Sequence, residues 1–317
     1  MNTNVTKPGP GGQLPRRRKL GHVPWILVDA GGDPANPEEA GVIQNPKVAL
    51  VTGASAGIGQ ACADLLSRAG WAVTGASRRG TASAGGQGLV MDVDDDASVR
   101  DGVRHVLLAH GRIDAVVTAA GWGLAGAVEH TPVEEAKAQF ETNFWGCVRL
   151  VQAVLPAMRA QRSGRIVLIS SIGGVLGVPF QAFYSASKFA LEGLGEALAY
   201  EVAPFGIDVT LVQPGNVRTD FTASRRLAGM DGQAGGAAGD PVYGAAVAKA
   251  VGVMERDEVN GAPPDDIAVA VRRVLDAKRP PRRVSAGKAS ERVAVLAKRI
   301  LPYRVFEAAA KSGLGVG

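Results

Sequence analysis

The chain has 317 residues, with 35 Lys and Arg against 30 Asp and Glu, and only two cysteines. A hydrophobic fraction of 46 % supports a large core and excludes a wholly disordered chain, while two cysteines exclude a disulfide-stapled scaffold. The net charge of +5 comes without a recognition motif, so nucleic acid is not an expected partner.

Residues 1–45 differ in character from the rest. Met1 to Gly12 is rich in Gly and Pro, and Arg16-Arg17-Arg18-Lys19 follows. The apolar run Val23-Pro24-Trp25-Ile26-Leu27-Val28 is too short and proline-broken for a signal-peptide core or a membrane span. This composition predicts a disordered extension, or an upstream translation artefact with the functional protein starting near Pro46.

From residue 46, strand and helix signals alternate. Val48-Ala49-Leu50-Val51 reads as a strand buried on both faces. It runs into Thr52-Gly53-Ala54-Ser55-Ala56-Gly57-Ile58-Gly59 and then a helical pattern through Ala69. Strand, glycine turn and helix are the setting of a dinucleotide-binding turn: glycines admit a pyrophosphate, and the helix N-terminus offers free N–H groups. A second strand, Ala72 to Ala76, ends at Ser77-Arg78-Arg79. An acidic residue there would bind ribose hydroxyls, whereas arginine suits a 2′-phosphate. No Asp or Glu lies between Asp64 and Asp92, which predicts NADP(H) over NAD(H), with Arg78 first and Arg79 as alternate. Both arginines could instead be solvated turn residues.

Thr131-Pro132-Val133-Glu134 predicts a capping box opening the long helix that carries Asn143. Gly164 to Ile169 reads as a buried strand ending in Ser170-Ser171, followed by a glycine-rich stretch. In Tyr184-Ser185-Ala186-Ser187-Lys188, the phenol and the ammonium stand at i and i+4 on one helix face. A nearby positive charge favours the phenolate and would bring tyrosine toward a useful acid–base range. Ser171 could hold a carbonyl or alcohol oxygen while Tyr184 transfers the proton.

The alternation predicts a single α/β domain over 46–280: a doubly wound, Rossmann-like parallel sheet with helices on both faces. Within it, residues 222–262 are rich in Gly and Ala and read as a substrate lid. Residues 281–317 read as a basic helical extension. From Arg272 to Arg304, Asp276 and Glu291 are the only acids, and Val293, Leu296, Ile300 and Leu301 fall at helical spacing. This helix either packs that stripe on the core, the reading preferred, or touches a membrane surface. Cys62 and Cys147 read as buried free thiols in a reducing compartment. His22, His105, His110 and His130 are scattered, so no metal site is expected.

These motifs resemble the short-chain dehydrogenase/reductase family in its classical branch, over roughly residues 46–280. The carriers are Thr52 to Gly59, Asn143, Ser171, Tyr184, Lys188 and Pro214-Gly215. The stretch Ser171 to Gly195 is similar to the 17β-hydroxysteroid and retinol dehydrogenase group. The resemblance implies that Tyr184 is the general acid/base and that Lys188 binds the nicotinamide ribose and acidifies the tyrosine. Ser171 would hold the substrate oxygen, and Asn143 would keep a water in a proton relay. Gly53, Ser55, Gly57, Ile58, Gly59, Asp92, Val93, Ala120, Gly121, Pro214, Gly215, Val217 and Thr219 would line the cofactor site. Two departures stand out: Ala119 occupies the place of a sheet-bracing Asn, and Ala56 that of a Ser or basic residue frequent in NADP-preferring members.

The expectation is therefore an NADP(H)-dependent oxidoreductase interconverting a secondary alcohol and a lipophilic ketone, cytoplasmic and homo-oligomeric. A 3-ketoacyl thioester reductase is the alternative, and a non-catalytic dinucleotide sensor a third reading.

Overall fold

A computed structural model of the chain describes residues 46–81, 86–229, 239–302, 304, 305 and 307. The extension expected over 1–45 lies outside the described residues. β1 (Val48–Thr52) leads into α1 (Gly57–Arg68), followed by β2 (Ala72–Ser77), β3 (Gln87–Val90) and α2 (Asp96–His110). Next come β4 (Ala115–Thr118), a short β5 (Leu124–Ala125), α3 (Val133–Phe140) and α4 (Gly146–Gln161). β6 (Gly164–Ile169), α5 (Ala182–Val202) and β7 (Ile207–Pro214) follow. The chain continues through α6 (Phe221–Ser224), β8 (Arg226–Leu227), α7 (Gly244–Val259), α8 (Pro264–Asp276), β9 (Arg283–Ala286) and α9 (Ala289–Ile300).

Seven strands form one parallel sheet in the order β3-β2-β1-β4-β6-β7-β9, and β5 pairs with β8 beside it. Side chains alternate across each strand, so every central strand feeds two cores. Val48 and Leu50 of β1 and Ile166 and Leu168 of β6 join the core under α2, α4 and α5. Ala49, Val51, Val167 and Ile169 join the opposite core under α1 and α8. Burial on both faces explains the unbroken apolar runs, and each large side chain buried there contributes about 1.5–3 kcal/mol. α2 shows how the ends are fixed locally. Asp95 accepts the Ser98 N–H at 2.6 Å, and Gly111 closes the helix in the left-handed region at φ 71°.

Three expectations need correction. The capping box at Thr131 does not form: its hydroxyl turns back to donate to the Ala127 carbonyl at 2.7 Å, and Pro132 takes the N-cap position. The sheet does not end at 280, because β9 pairs with β7 through Leu211–Arg283 to Pro214–Ala286. Within 222–262, Gly244–Val259 is not loop but the helix α7, as alanine's high helical propensity favours.

Candidate active site

The carboxyl ends of the parallel strands open onto one cavity of about 1160 Å³. This is where an open α/β sheet places its ligands. The turn after β1 shapes one end. Gly53 has φ 68°, and a Cβ there would stand 2.8 Å from the Ala119 and Ala120 backbone. At Gly59 a Cβ would stand 2.4 Å from the Gly53 carbonyl oxygen, so helix and strand approach closer than any side chain permits. α1 begins at Gly57 with no side-chain cap and no acidic residue in its first turn. Its free N–H groups and positive dipole end face the cavity, an environment that fits a pyrophosphate.

The other expected cofactor residues converge on the same cavity. Ser55, Gly57, Ile58, Arg78, Asp92, Val93, Ala120, Gly121, Pro214, Gly215, Val217 and Thr219 all line it. Arg78 and Arg79 are exposed at the end of β2, and Arg79 Nη2 donates to the Ser55 carbonyl at 3.3 Å. Both arginines line the cavity, beside the glycine turn.

The proposed chemistry sits where β6 meets α5. Ser171 caps the short 3₁₀ turn Ile172–Gly174, its hydroxyl accepting the Gly173 N–H at 3.0 Å. Tyr184 and Lys188, one turn apart on α5, line the cavity with Ser171. Burial pushes the Tyr184 phenol above its ordinary value; Ser171 opposes the rise by hydrogen bonding, Glu258 adds to it, and the Arg225 charge opposes it. Lys188 is not among these influences. Its amine donates to the Ile169 carbonyl at 2.9 Å, and burial lowers its own pKa. The expected acidification of Tyr184 by Lys188 is thus not met in this arrangement; Ser171 and Arg225 supply the opposing pull.

Asn143 is the one catalytic candidate that does not line the cavity. It is buried in a π-helical turn, Glu141–Trp145, between α3 and α4. Its Oδ1 accepts the Trp122 N–H at 3.0 Å, and its Nδ2 donates to the Trp122 carbonyl at 3.0 Å and to Ser187 Oγ at 3.2 Å. In this geometry Asn143 braces the turn after β4. At Ala119, the backbone N–H donates to Thr52 Oγ1 at 3.2 Å, which ties β4 to β1 without a side chain from position 119.

A family model described as short chain dehydrogenase matches residues 47–228. The chain belongs to the short-chain dehydrogenase family. It is an oxidoreductase of a family that uses nicotinamide dinucleotides. The dehydrogenase is 41 % identical over 263 residues to a 3-ketodihydrosphingosine reductase of Bacteroides thetaiotaomicron, covering 83 % of this chain and 96 % of that one. It is 40 % identical over 191 residues to human retinol dehydrogenase 8, covering 56 % of this chain and 60 % of that protein. A crystal structure of a short-chain dehydrogenase from Streptomyces avermitilis matches with a TM-score of 0.71 at 34 % identity, over 86 % of this chain and 98 % of that one.

Several residues in and beside the cavity carried no signal in the sequence. The Phe221 ring meets Tyr184 edge to face at 5.7 Å between centroids. The Arg226 guanidinium lies 4.4 Å over the Trp122 ring, which pins the β5–β8 pair. Arg225 pairs with Glu258 of α7, and Thr222 Oγ1 donates to the same carboxylate at 2.5 Å. Glu291 of α9 accepts the Asn216 N–H at 2.9 Å and the Lys288 N–H at 3.0 Å, closing α9 over Gly215. Glu291 was visible as one of two acids in a basic stretch; the others carried no local signal.

α9 also departs from its preferred reading. Val295 is buried, and Ala294, Ala297 and Leu301 line the cavity, while Val293, Leu296 and Ile300 face outward. Two contacts set this rotation: Glu291 with the Asn216 and Lys288 backbone, and Lys298 Nζ with the Val175 carbonyl.

Proposed function

We propose that this dehydrogenase is an NADPH-dependent reductase of a long-chain 3-keto amino alcohol of the 3-ketodihydrosphingosine class. The observation that carries it is the likeness to the Bacteroides reductase over 96 % of that protein. The apolar groups Leu176, Val178, Phe221, Met254 and Leu301 around the cavity support a lipophilic substrate. Arg78 at the end of β2, where that strand end carries no Asp or Glu of its own, supports a 2′-phosphorylated cofactor.

When bound, the dinucleotide supplies the hydride. Ser171 donates a hydrogen bond to the ketone oxygen and fixes its position. Tyr184 gives its proton to the same oxygen as the carbonyl carbon is reduced, so ketone, hydride and proton make the alcohol. A phenol whose pKa is raised by burial stays protonated at neutral pH, which suits a donor in the reductive direction. Lys188 holds the ribose side, positioned by the Ile169 carbonyl. Asn143 keeps the Trp122 turn in shape.

Two further assignments belong to this reading. Analogy with the family supports association of copies, and buried free Cys62 and Cys147 support a reducing, cytoplasmic setting.

The test is NADPH oxidation followed by absorbance with 3-ketodihydrosphingosine, retinal, a ketosteroid and a 3-ketoacyl thioester. The amino ketone is expected to turn over fastest, and Tyr184→Phe to bind NADPH normally while losing turnover. Faster reduction of the thioester would replace the substrate assignment, and an active Tyr184→Phe would reject the proton route.

A further inference from the structure

α9 presents apolar residues on two faces. Its inner face lines the cavity through Ala294 and Ala297, with Leu301 just beyond its end. Its outer face exposes Val293 at 63 %, Leu296 at 56 % and Ile300 at 71 %. At 100° per residue these three share one stripe, and Arg292 borders it in the exposed class. Beyond the helix, Val305 is 54 % exposed beside an exposed Arg304. Large apolar side chains gathered on one surface stripe mark an interaction site more often than a solvated face.

Charge decides what covers it. The two acids of the basic stretch are both engaged: Asp276 with Arg272 at 3.3 Å, and Glu291 turned inward onto backbone N–H groups. Over Ala289–Ile300 the outer face therefore carries apolar residues and arginine, with no outward carboxylate among the described residues. A second copy of the same face would bring cations against cations. An anionic lipid surface satisfies both features, by taking the apolar stripe into its headgroup boundary and neutralising the arginines. Among the described residues no helix is long and apolar enough to cross a membrane, so the contact is peripheral.

We propose that the outer face of α9 docks on an anionic membrane surface and holds the cavity it covers at the lipid boundary. A lipophilic substrate then enters from the bilayer beside Leu301 without crossing water. Docking stands on the helix alone and does not depend on which ketone is reduced.

The full chain, with NADPH present, is co-sedimented with vesicles of phosphatidylcholine alone and of phosphatidylcholine and phosphatidylglycerol in equal parts. The same is done with Val293→Glu/Leu296→Glu/Ile300→Glu and with Arg292→Gln/Arg304→Gln. Wild type is expected to pellet with the anionic vesicles at low salt and to be released by high salt. The apolar triple variant should bind roughly tenfold or more weakly, and the arginine variant should lose most of the preference for phosphatidylglycerol. Melting temperature and reduction of a small water-soluble ketone, both unchanged, show that the variants are folded. A wild type that stays in the supernatant with both vesicles overturns the proposal, as does a triple variant that binds equally well. A triple variant that changes oligomeric state in sedimentation velocity also overturns it, by assigning the face to a second copy. None of these results bears on turnover of the amino ketone, so docking and substrate class fail separately.

Discussion

Glu258→Gln tests whether the buried ion pair between Arg225 and α7 tunes the proposed proton donor. The Arg225 side chain is 2 % exposed and that of Glu258 11 %. Arg225 Nε and Nη1 have no hydrogen-bond partner among the described residues, so Glu258 is the group that anchors this guanidinium. Glutamine keeps the shape and one acceptor but leaves the buried cation without a counter-charge. Removing one partner of such a pair costs about 3–5 kcal/mol, and the retained acceptor points to the lower end. At roughly 2–4 °C per kcal/mol for a domain of this size, melting should fall by roughly 6–12 °C. The sign on Tyr184 follows from the same charges. Glu258 raises the phenol and Arg225 lowers it, so losing the carboxylate leaves the lowering charge unopposed. Reduction needs the protonated phenol, and its rate is lost as pH rises through that pKa. The alkaline limb of kcat/KM should therefore move to lower pH in Glu258→Gln, and to higher pH in Arg225→Met. Thermal melts and pH–rate profiles of ketone reduction read both effects. A Glu258→Gln protein that melts within about one degree of wild type and keeps its alkaline limb would refute the coupling.

Arg78→Ala should weaken NADPH by roughly 1–3 kcal/mol through loss of a charged hydrogen bond and leave NADH unaffected, as measured by fluorescence titration. An unchanged ratio of the two affinities rejects Arg78 as the phosphate-binding residue. Gly59→Ala puts a Cβ 2.4 Å from the Gly53 oxygen, and the contacted atoms are backbone, so the turn must shift at a cost of about 1–3 kcal/mol. NADPH affinity should fall with the melting temperature, and an unaltered dissociation constant would detach this turn from the cofactor. Burial pushes the Cys62 thiol up to about 12, so iodoacetamide should not label it at pH 8 until the protein is unfolded. Above an unfolded thiol value of about 8.5, the unfolded chain binds fewer protons than the native one, and stability should drop about 1.4 kcal/mol per pH unit from this group. A Cys62→Ala protein with the same alkaline loss would assign that loss elsewhere.

The glycine turn after β1 was legible because its requirements are local. A pyrophosphate needs backbone approach at a strand–helix turn, and only glycine at Gly53 and Gly59 permits it, so the residues advertise themselves within one stretch of chain. The parallel sheet was legible for a similar reason, since strands covered on both faces read as unbroken apolar runs. The capping box at Thr131 failed although its local pattern was correct. A competing local acceptor, the Ala127 carbonyl four residues earlier, took the hydroxyl instead.

The side of the cavity near α7 and α9 is built differently, and that difference explains why it was the least readable part. Arg225 finds Glu258 on α7, Glu291 finds the backbone after β7, and Lys298 finds Val175 after β6. Each is an ordinary charged residue in its own segment and gains meaning only when distant elements meet. α9 makes the point quantitatively. Its sequence offers the stripe Val293, Leu296 and Ile300 as an obvious core face, yet Glu291 and Lys298 tie the helix with Val295 inward and that stripe outward. Burying the three aliphatics instead could gain about 1.5–3 kcal/mol each, but it would pull Glu291 off two N–H donors and Lys298 off its carbonyl. An outward stripe held against its own hydrophobic preference is what a surface covered by something else requires, and the vesicle measurement asks whether that cover is lipid.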